Sequence, residues 1–261
     1  MVSLAEDLSL AADLRLALDR AAFAQSLGVS PDKWQEQLLR SNAARVLMIC
    51  SRQSGKSEMA ALIALHRALY HPGSLILILA PSERQAKECF SKVVDHLRTL
   101  GNTIPTDSIR KLGVLLPSGS RIEALPGSEK TIRGFSGVNL LILDEAARID
   151  DGLYYAVRPM LAVSGGSIMM LSSPYGKRGV LYEEWEHGVG WERYKATASE
   201  CPRITAKFLN EERHSLPDWV YRQEYECSFE ETEDQVFTQE MIAGALDEDV
   251  QPLEQLEGFS W

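Results

Sequence analysis

The sequence predicts an α/β fold in which a mainly parallel sheet carries helices on both faces, with a small helical subdomain following it. Three observations carry this expectation. Apolar runs of strand length, "RVLMIC", "SLILILA", "VNLLILD" and "SIMMLSS", alternate with segments whose apolar residues recur every three or four positions. The first run leads into "SRQSGKS", a glycine-containing loop that opens a helix. The third run ends in two adjacent acids, Asp144 and Glu145.

In chain order, the spacing over residues 4–27 predicts one or two amphipathic helices. "SPDKWQEQLLR" reads as a helix start, with Ser30 as N-cap, Pro31 at the first position and Trp34, Leu38 and Leu39 on one face. A strand over 45–50 and a helix over 56–70 follow, then a strand over 75–80 and a helix over 82–100 capped by Ser82. "GVLLP" and "SRIEAL" are short strands around the turn "PSGS". "VNLLILD" is a strand, 152–161 a helix, "SIMMLSS" a strand and 180–187 a helix. Past "WERYKATA" the pattern changes: "ITAKFLNEERHSL", "DWVYRQEY" and "TQEMIAGAL" predict three helices without a strong strand between them. The expected division is an α/β core over 1–203, a helical lid or linker over 204–246 and a polar tail over 247–261.

Composition narrows the class. The chain has 261 residues, 45% apolar and 25% charged, the profile of a globular protein with a real core. No apolar run approaches the ~20 residues that span a bilayer, and the acidic, amphipathic N-terminus does not read as an export signal. Cys50, Cys89, Cys201 and Cys227 lack both C-x-x-C and ligand spacing, so they read as reduced core thiols. The net charge of −10 is uneven: residues 223–261 hold 12 acids and no Lys or Arg. The first 222 residues therefore carry 27 basic groups against the remaining 25 of the 37 acids. The body is not excluded from meeting nucleic acid, and it is not a strongly basic wrapping surface either.

The loop "SRQSGKS" nearly matches the phosphate-binding pattern G-x-x-x-x-G-K-[ST], except that Cys50 stands at the first glycine. Backbone N–H groups at a helix start converge on phosphate oxygens, and that function survives the loss of the first glycine. Ser51, Arg52, Gln53, Ser54 and Gly55 would form the cradle, Lys56 would reach the β- and γ-phosphates, and Ser57 would ligate Mg²⁺. Asp144, at the C-terminal edge of its strand, would hold the same metal, and Glu145 would orient and deprotonate an attacking water. A water-activating glutamate argues for hydrolysis over small-molecule phosphorylation. The 88 residues between Lys56 and Asp144 leave room for a strand inserted between the two motif strands, as in ASCE-type P-loop NTPases. Ser172 and Ser173, ending the next strand, are candidates to sense the γ-phosphate.

Together "WQEQLL", "SRQSGKS", "TIRGFSGVNLLILDEAARI", "LSSPYGKRG" and "YRQEYECSF", in this order over about residues 30–237, resemble the large terminase subunits that package DNA in tailed double-stranded DNA bacteriophages. That family carries a deviant loop of the form S-R-Q-x-G-K-[ST], so Cys50 is in keeping with it. The resemblance implies an ATPase that uses ATP and Mg²⁺ and drives viral double-stranded DNA into a procapsid. It further implies a homo-oligomeric ring, a pentamer, on the portal protein with a small terminase subunit, in the host cytoplasm and without a membrane. Gln35, after Trp34, matches the adenine-recognition glutamine, whose amide offers a donor and an acceptor; Gln37 is its rival. Ser172 and Ser173 match the coupling motif.

Arg52 in the loop and Arg133 in "TIRGF" compete for the arginine finger, a role that contributes 10³–10⁵ in rate. Arg133 is assigned the action across a subunit interface, and Arg52 a phosphate or loop-ordering contact. For either, a salt bridge to a nearby acid is the plain alternative. Large terminases continue into a nuclease domain; here no further strand carries clustered metal-binding acids, so DNA cleavage is not expected. Lys177, Arg178, Arg110 and Lys111 are candidate DNA contacts. Two other readings stay open: a helicase-like ATPase outside packaging, which needs a second recombinase-like domain, and an ATP-gated binding module that barely hydrolyses, which Glu145 argues against.

Overall fold

The computed structural model describes residues 4–101, 109–127, 132 and 134–231, with side chains from residue 10 onward. Among the described residues, those up to Glu230 belong to one compact unit. Its spine is an eight-stranded sheet: β1 Arg45–Cys50, β2 Leu75–Ala80, β3 Ile109–Arg110, β4 Gly113–Leu115, β5 Arg121–Pro126, β6 Leu140–Asp144, β7 Ser167–Ser172 and β8 Glu192–Ala196. The spatial order is β3-β4-β5-β2-β6-β7-β1-β8. From β5 to β8 every pairing is parallel, and β3 and β4 add an antiparallel edge.

The central strands are apolar throughout because both their faces are covered. Alternate residues go to opposite layers. Met48, Ile76, Ile78 and Ile142 face one core, packed under helices α2 Arg20–Ser26, α3 Lys33–Arg40, α4 Lys56–Tyr70 and α5 Glu83–Thr99. Leu47, Leu77, Leu141 and Met170 face the other, packed under α6 Asp151–Val157 and α7 Gly179–Glu186. Each of these side chains is fully buried, or nearly so, and truncation of one such Leu to Ala costs about 2–5 kcal/mol. Helix α1, Leu4–Leu18, precedes this core, and the pair α8 Ala206–Ser215 and α9 Asp218–Tyr225 follows it.

The strands at 45–50 and 75–80 and the helix at 56–70 have their expected limits, and Ser82 caps α5, its hydroxyl accepting from the Gln85 N–H. Three expectations need correction. Helix α3 is capped by Asp32 and not Ser30, because the Asp32 N–H is held by Gln35 Oε1 at 2.8 Å and its carboxylate by Arg203 at 2.6 Å. The strand between the motif strands β1 and β6 is not drawn from the 88-residue interval; it is β7, which follows Asp144 in sequence. Strand β8, over "ERYKA", was hidden by its polarity: an edge strand with one face open needs little apolar content. The predicted helix at 238–246 and the tail at 247–261 lie outside the described residues.

Candidate nucleotide site

Strands β1, β6 and β7 end at one rim of the sheet, with Ile49 beside Ser172 and Asp144 beside Leu171. The loop from β1 turns there into α4. Cys50 is the last residue of β1 and does not have a positive φ, so a glycine is not required at that position. Its thiol is buried and its pKa is pushed up to about 12 by desolvation, which makes it a neutral packing group. Gly55 is different. Its φ is +91°, and a Cβ there would meet Gln35 Nε2 at 2.8 Å. Gln53 is also left-handed, at φ +59°. The first N–H groups of α4 lack intrahelical acceptors and open onto the loop.

The buried Lys56 Nζ lies 3.2 Å from Glu145 Oε1. Ser57 Oγ donates to Asp144 Oδ2 at 3.1 Å. The Asp144 pKa is raised to about 6, by burial first and then by the Glu145 charge, against the lowering pull of Lys56 and Ser57. A hydroxyl and one carboxylate are the hard oxygen donors that Mg²⁺ takes when phosphates complete its shell. Glu145 has φ +53° and ψ +44°, a left-handed conformation that costs a non-glycine residue about 1–3 kcal/mol and gathers at functional sites. Behind it, Ser172 Oγ accepts from the Ala147 N–H at 3.3 Å and reaches Glu145 Oε2 at 3.5 Å.

Lys56 and Glu145 border a cleft of about 350 Å³ that is also lined by Arg52, Arg148, Ser173 and Glu224, among others. The buried Ser173 Oγ has no hydrogen-bond partner among the described residues. Arg148 stacks its guanidinium over Tyr175 at 4.3 Å. Arg52 is neither free nor aimed at the acids of the motif strand: its Nε lies 2.6 Å from Glu224 Oε2 on α9. A second cleft, about 530 Å³, is lined by Gly28, Val29, Gln35, Gly55, Lys92 and Arg203, and Gln53 borders both clefts. There the Gln35 amide ties α3 to the loop, accepting from Asp32 N–H and donating to Ser54 O at 3.0 Å. Arg203 also donates to Ser54 O, at 3.2 Å.

The structure thus brings Gln35, Arg52, Gln53, Gly55, Lys56, Glu145 and Ser173 around the two clefts, with Ser57, Asp144 and Ser172 behind them. Gln37 is exposed and lines neither cleft. Trp34 is packed in the core and lines neither cleft; Ser51 and Ser54 keep their side chains buried inside the loop. Arg133 lies outside the described residues. Of the candidate DNA contacts, Lys111 pairs with Glu83 at 2.5 Å, Arg110 with Glu123 at 3.7 Å, and Arg178 stacks over Tyr175 at 5.1 Å. Sequence reasoning missed Arg148, Arg203 and Glu224. Arg148 stands inside "TIRGFSGVNLLILDEAARI" and Glu224 inside "YRQEYECSF", each without a role; nothing local marks Arg203.

A loop leading into α4, an acid pair ending β6 and an added strand between the two motif strands define the fold as that of an ASCE-type P-loop ATPase. The model of the family "Terminase large subunit, T4likevirus-type, N-terminal" matches residues 47–243, and the chain belongs to that family. The large terminase subunit of Thermus phage G20c is 29% identical over 253 residues, covering 83% of this chain and 52% of that one. The ATPase domain of the Thermus phage P74-26 large terminase superposes with a TM-score of 0.71 at 27% identity, over 80% of this chain and 97% of that one. A large terminase of the thermophilic bacteriophage D6E, solved in complex with ADP, shares the fold with a TM-score of 0.61 at 10% identity, over 76% and 54%. The chain spans about half the length of the curated relatives it matches.

Proposed function

We propose that this chain hydrolyses ATP, and that hydrolysis drives double-stranded viral DNA into a procapsid. The observation that carries the reading is the meeting of Lys56, Ser57, Asp144 and Glu145 at one rim of the sheet, within 3.2 Å in each pair. Without nucleotide, Lys56 and Glu145 neutralise each other. An arriving triphosphate competes for Lys56 and releases Glu145 Oε1 to face the γ-phosphate. Ser57 and Asp144 would hold Mg²⁺, which would supply charge neutralisation to the phosphates. Glu145, steadied by Ser172, accepts the proton of the attacking water. The water oxygen bonds to the γ-phosphorus, the bond to the β–γ bridging oxygen breaks, and ADP and phosphate leave. Gln35 and Arg203 shape the base side, where adenine would lie.

Arg148 lines the same cleft and would be a further cation in cis, and Ser173, whose buried hydroxyl has no hydrogen-bond partner among the described residues, would sense the γ-phosphate. Arg133 would act in trans across the interfaces of a homo-oligomeric ring, a pentamer. That ring would sit on the portal protein and receive DNA from the small terminase subunit, in the cytoplasm of the infected host. The Arg52–Glu224 pair links the loop to α9, so a lid over 204–246 would feel the nucleotide through it. Steady-state ATPase rate against protein concentration tests the reading. A rate per subunit that rises with concentration, and partial recovery when Arg133→Ala and Glu145→Gln chains are mixed, support a ring with a trans arginine. A flat rate and no recovery leave only a cis ATPase.

A further inference from the structure

The opposite rim of the sheet holds a cleft that the nucleotide reading does not use. The N-terminal ends of β1, β6 and β7, the last turn of α4 and the α1–α2 junction enclose about 470 Å³ there. Helix α4 has 15 residues, so its rise of 1.5 Å per residue puts this cleft roughly 20 Å from the P-loop. Among the described residues, the titratable groups of its lining are Arg20, His66, Arg67 and His71, with no Asp or Glu. Over residues 1–222 bases and acids are nearly balanced, 27 to 25, so a lining whose charged groups are all basic is not what composition alone would give.

Among the described residues, the two arginines are held by neutral acceptors. Arg20 Nη2 donates to Ser41 O and, at 3.1 Å, to Asn42 Oδ1. Arg67 Nη2 reaches Asn139 O at 3.5 Å, and the buried Arg67 Nε has no hydrogen-bond partner among the described residues. Burial lowers the pKa of Arg20, and the nearby charge of Arg67 lowers it further. His66 is neutral: burial brings its pKa to about 4, and its Nε2 is occupied by Leu16 O at 3.0 Å. His71 is lowered too, by burial and then by Arg67 and Arg20. The carbonyls ending α4 account for one cation at this place, since a basic side chain in the last turn complements the helix dipole. They do not account for a second arginine brought in from α2.

We propose that this cleft binds a phosphate oxyanion, with the guanidinium groups of Arg20 and Arg67 as its cationic ligands and Asn42 and His71 as neutral donors beside them. Arginine suits that role because its planar fork of donors matches tetrahedral oxyanions. The cleft volume lies within the ~300–1,000 Å³ of small-ligand sites. The phosphate can be free in solution or part of a nucleic-acid backbone, and the two sources are separable.

The test is a calorimetric titration of the Lys56→Ala chain, whose P-loop lacks its phosphate-binding amine, at constant ionic strength set with chloride. The titrants are inorganic phosphate, pyrophosphate and a short DNA duplex. The same titrations are repeated with Lys56→Ala/Arg67→Gln and Lys56→Ala/Arg67→Lys, after circular dichroism shows that each is folded. The parent saturated with Mg·ADP, with and without Arg67→Gln, replaces this set if Lys56→Ala does not fold. Saturable binding that Arg67→Gln weakens at least tenfold and Arg67→Lys partly keeps supports the site. If phosphate or pyrophosphate shows this, the ligand is a free phosphate; if only the duplex shows it, the ligand is a phosphodiester. Absence of saturation by all three up to about 10 mM, or binding indifferent to Arg67→Gln, overturns it.

Discussion

On the phosphate side of the nucleotide cleft, Lys56, Asp144 and Glu145 are charged, largely buried groups that hold one another. On the base side, Asp32, Gln35 and Arg203 tie α3 and the 203 region to the backbone of the loop. The first arrangement stores charge that a ligand can redirect. The second fixes a shape, and its amide and guanidinium are already spent on carbonyl and carboxylate oxygens of the protein. The difference teaches that damage on the phosphate side should stop the chemistry and leave the fold standing, whereas damage on the base side should loosen the loop and weaken binding.

Gly55 joins the two sides, and its substitution should break both. Gly55→Ala forces a side chain into φ +91° and against Gln35 Nε2, so we expect a loss of about 2–4 kcal/mol by thermal or urea unfolding, together with lost nucleotide binding. An unchanged melting temperature would show that the contact between the two sides carries no weight.

Asp144→Asn sharpens the phosphate side by setting function against stability. In the unliganded protein the Asp144 pKa is near 6, above the ordinary 3.8. Its stabilising contribution is therefore complete below about pH 4 and is lost as pH rises through 6. At pH 8 the unliganded Asp144→Asn chain should be more stable than the parent by on the order of 2–3 kcal/mol, and the gap should close by pH 4. Hydrolysis should be lost at both. Mg²⁺-dependent nucleotide binding by the parent should weaken as pH falls through 6, because the metal needs the ionised carboxylate.

Gln35→Ala probes the base side alone. It leaves Asp32 N–H and Ser54 O without their amide partner, so we expect about 1–2 kcal/mol weaker nucleotide binding with a smaller effect on the rate at saturating ATP. A loss confined to turnover would move Gln35 to the chemical side of the cleft. Smallest of all, Glu224→Gln breaks the Arg52 pair, whose arginine side chain is 62% exposed. Less than about 1 kcal/mol of stability should change, and the measurable effect should be on how nucleotide alters protease cleavage in α9.

The sequence made the phosphate side readable because its residues sit in short runs that also fix secondary structure. A buried strand must end where Asp144 stands, and a helix must start where Lys56 stands, so element and chemistry are one signal. The base side was readable only in part. Gln35 announced itself beside Trp34, yet Arg203, which shares Asp32 and Ser54 O with it, arrives from 149 residues beyond Ser54, and no local pattern records that approach. Asp32 was passed over as a cap because Ser30-Pro31 gave the stronger local signal, which the pull of Arg203 and Gln35 overrides. Arg148 and Glu224 look like ordinary helix-surface charges in sequence; only the sheet rim and the approach of α9 make them part of a site. Strand β8 escaped for the opposite reason, because its role is pairing and not burial.

The account rests on Glu145 being the base that activates water while Lys56 holds phosphate. The most direct measurement is single-turnover phosphate release from Glu145→Gln saturated with Mg·ATP, compared with the parent. Glu145→Gln should bind the nucleotide at least as tightly and release phosphate slower by about 10²–10⁴-fold, the range for a lost general base. Release at the parental rate would contradict the account and return the chain to an ATP-binding fold whose glutamate is only a salt-bridge partner.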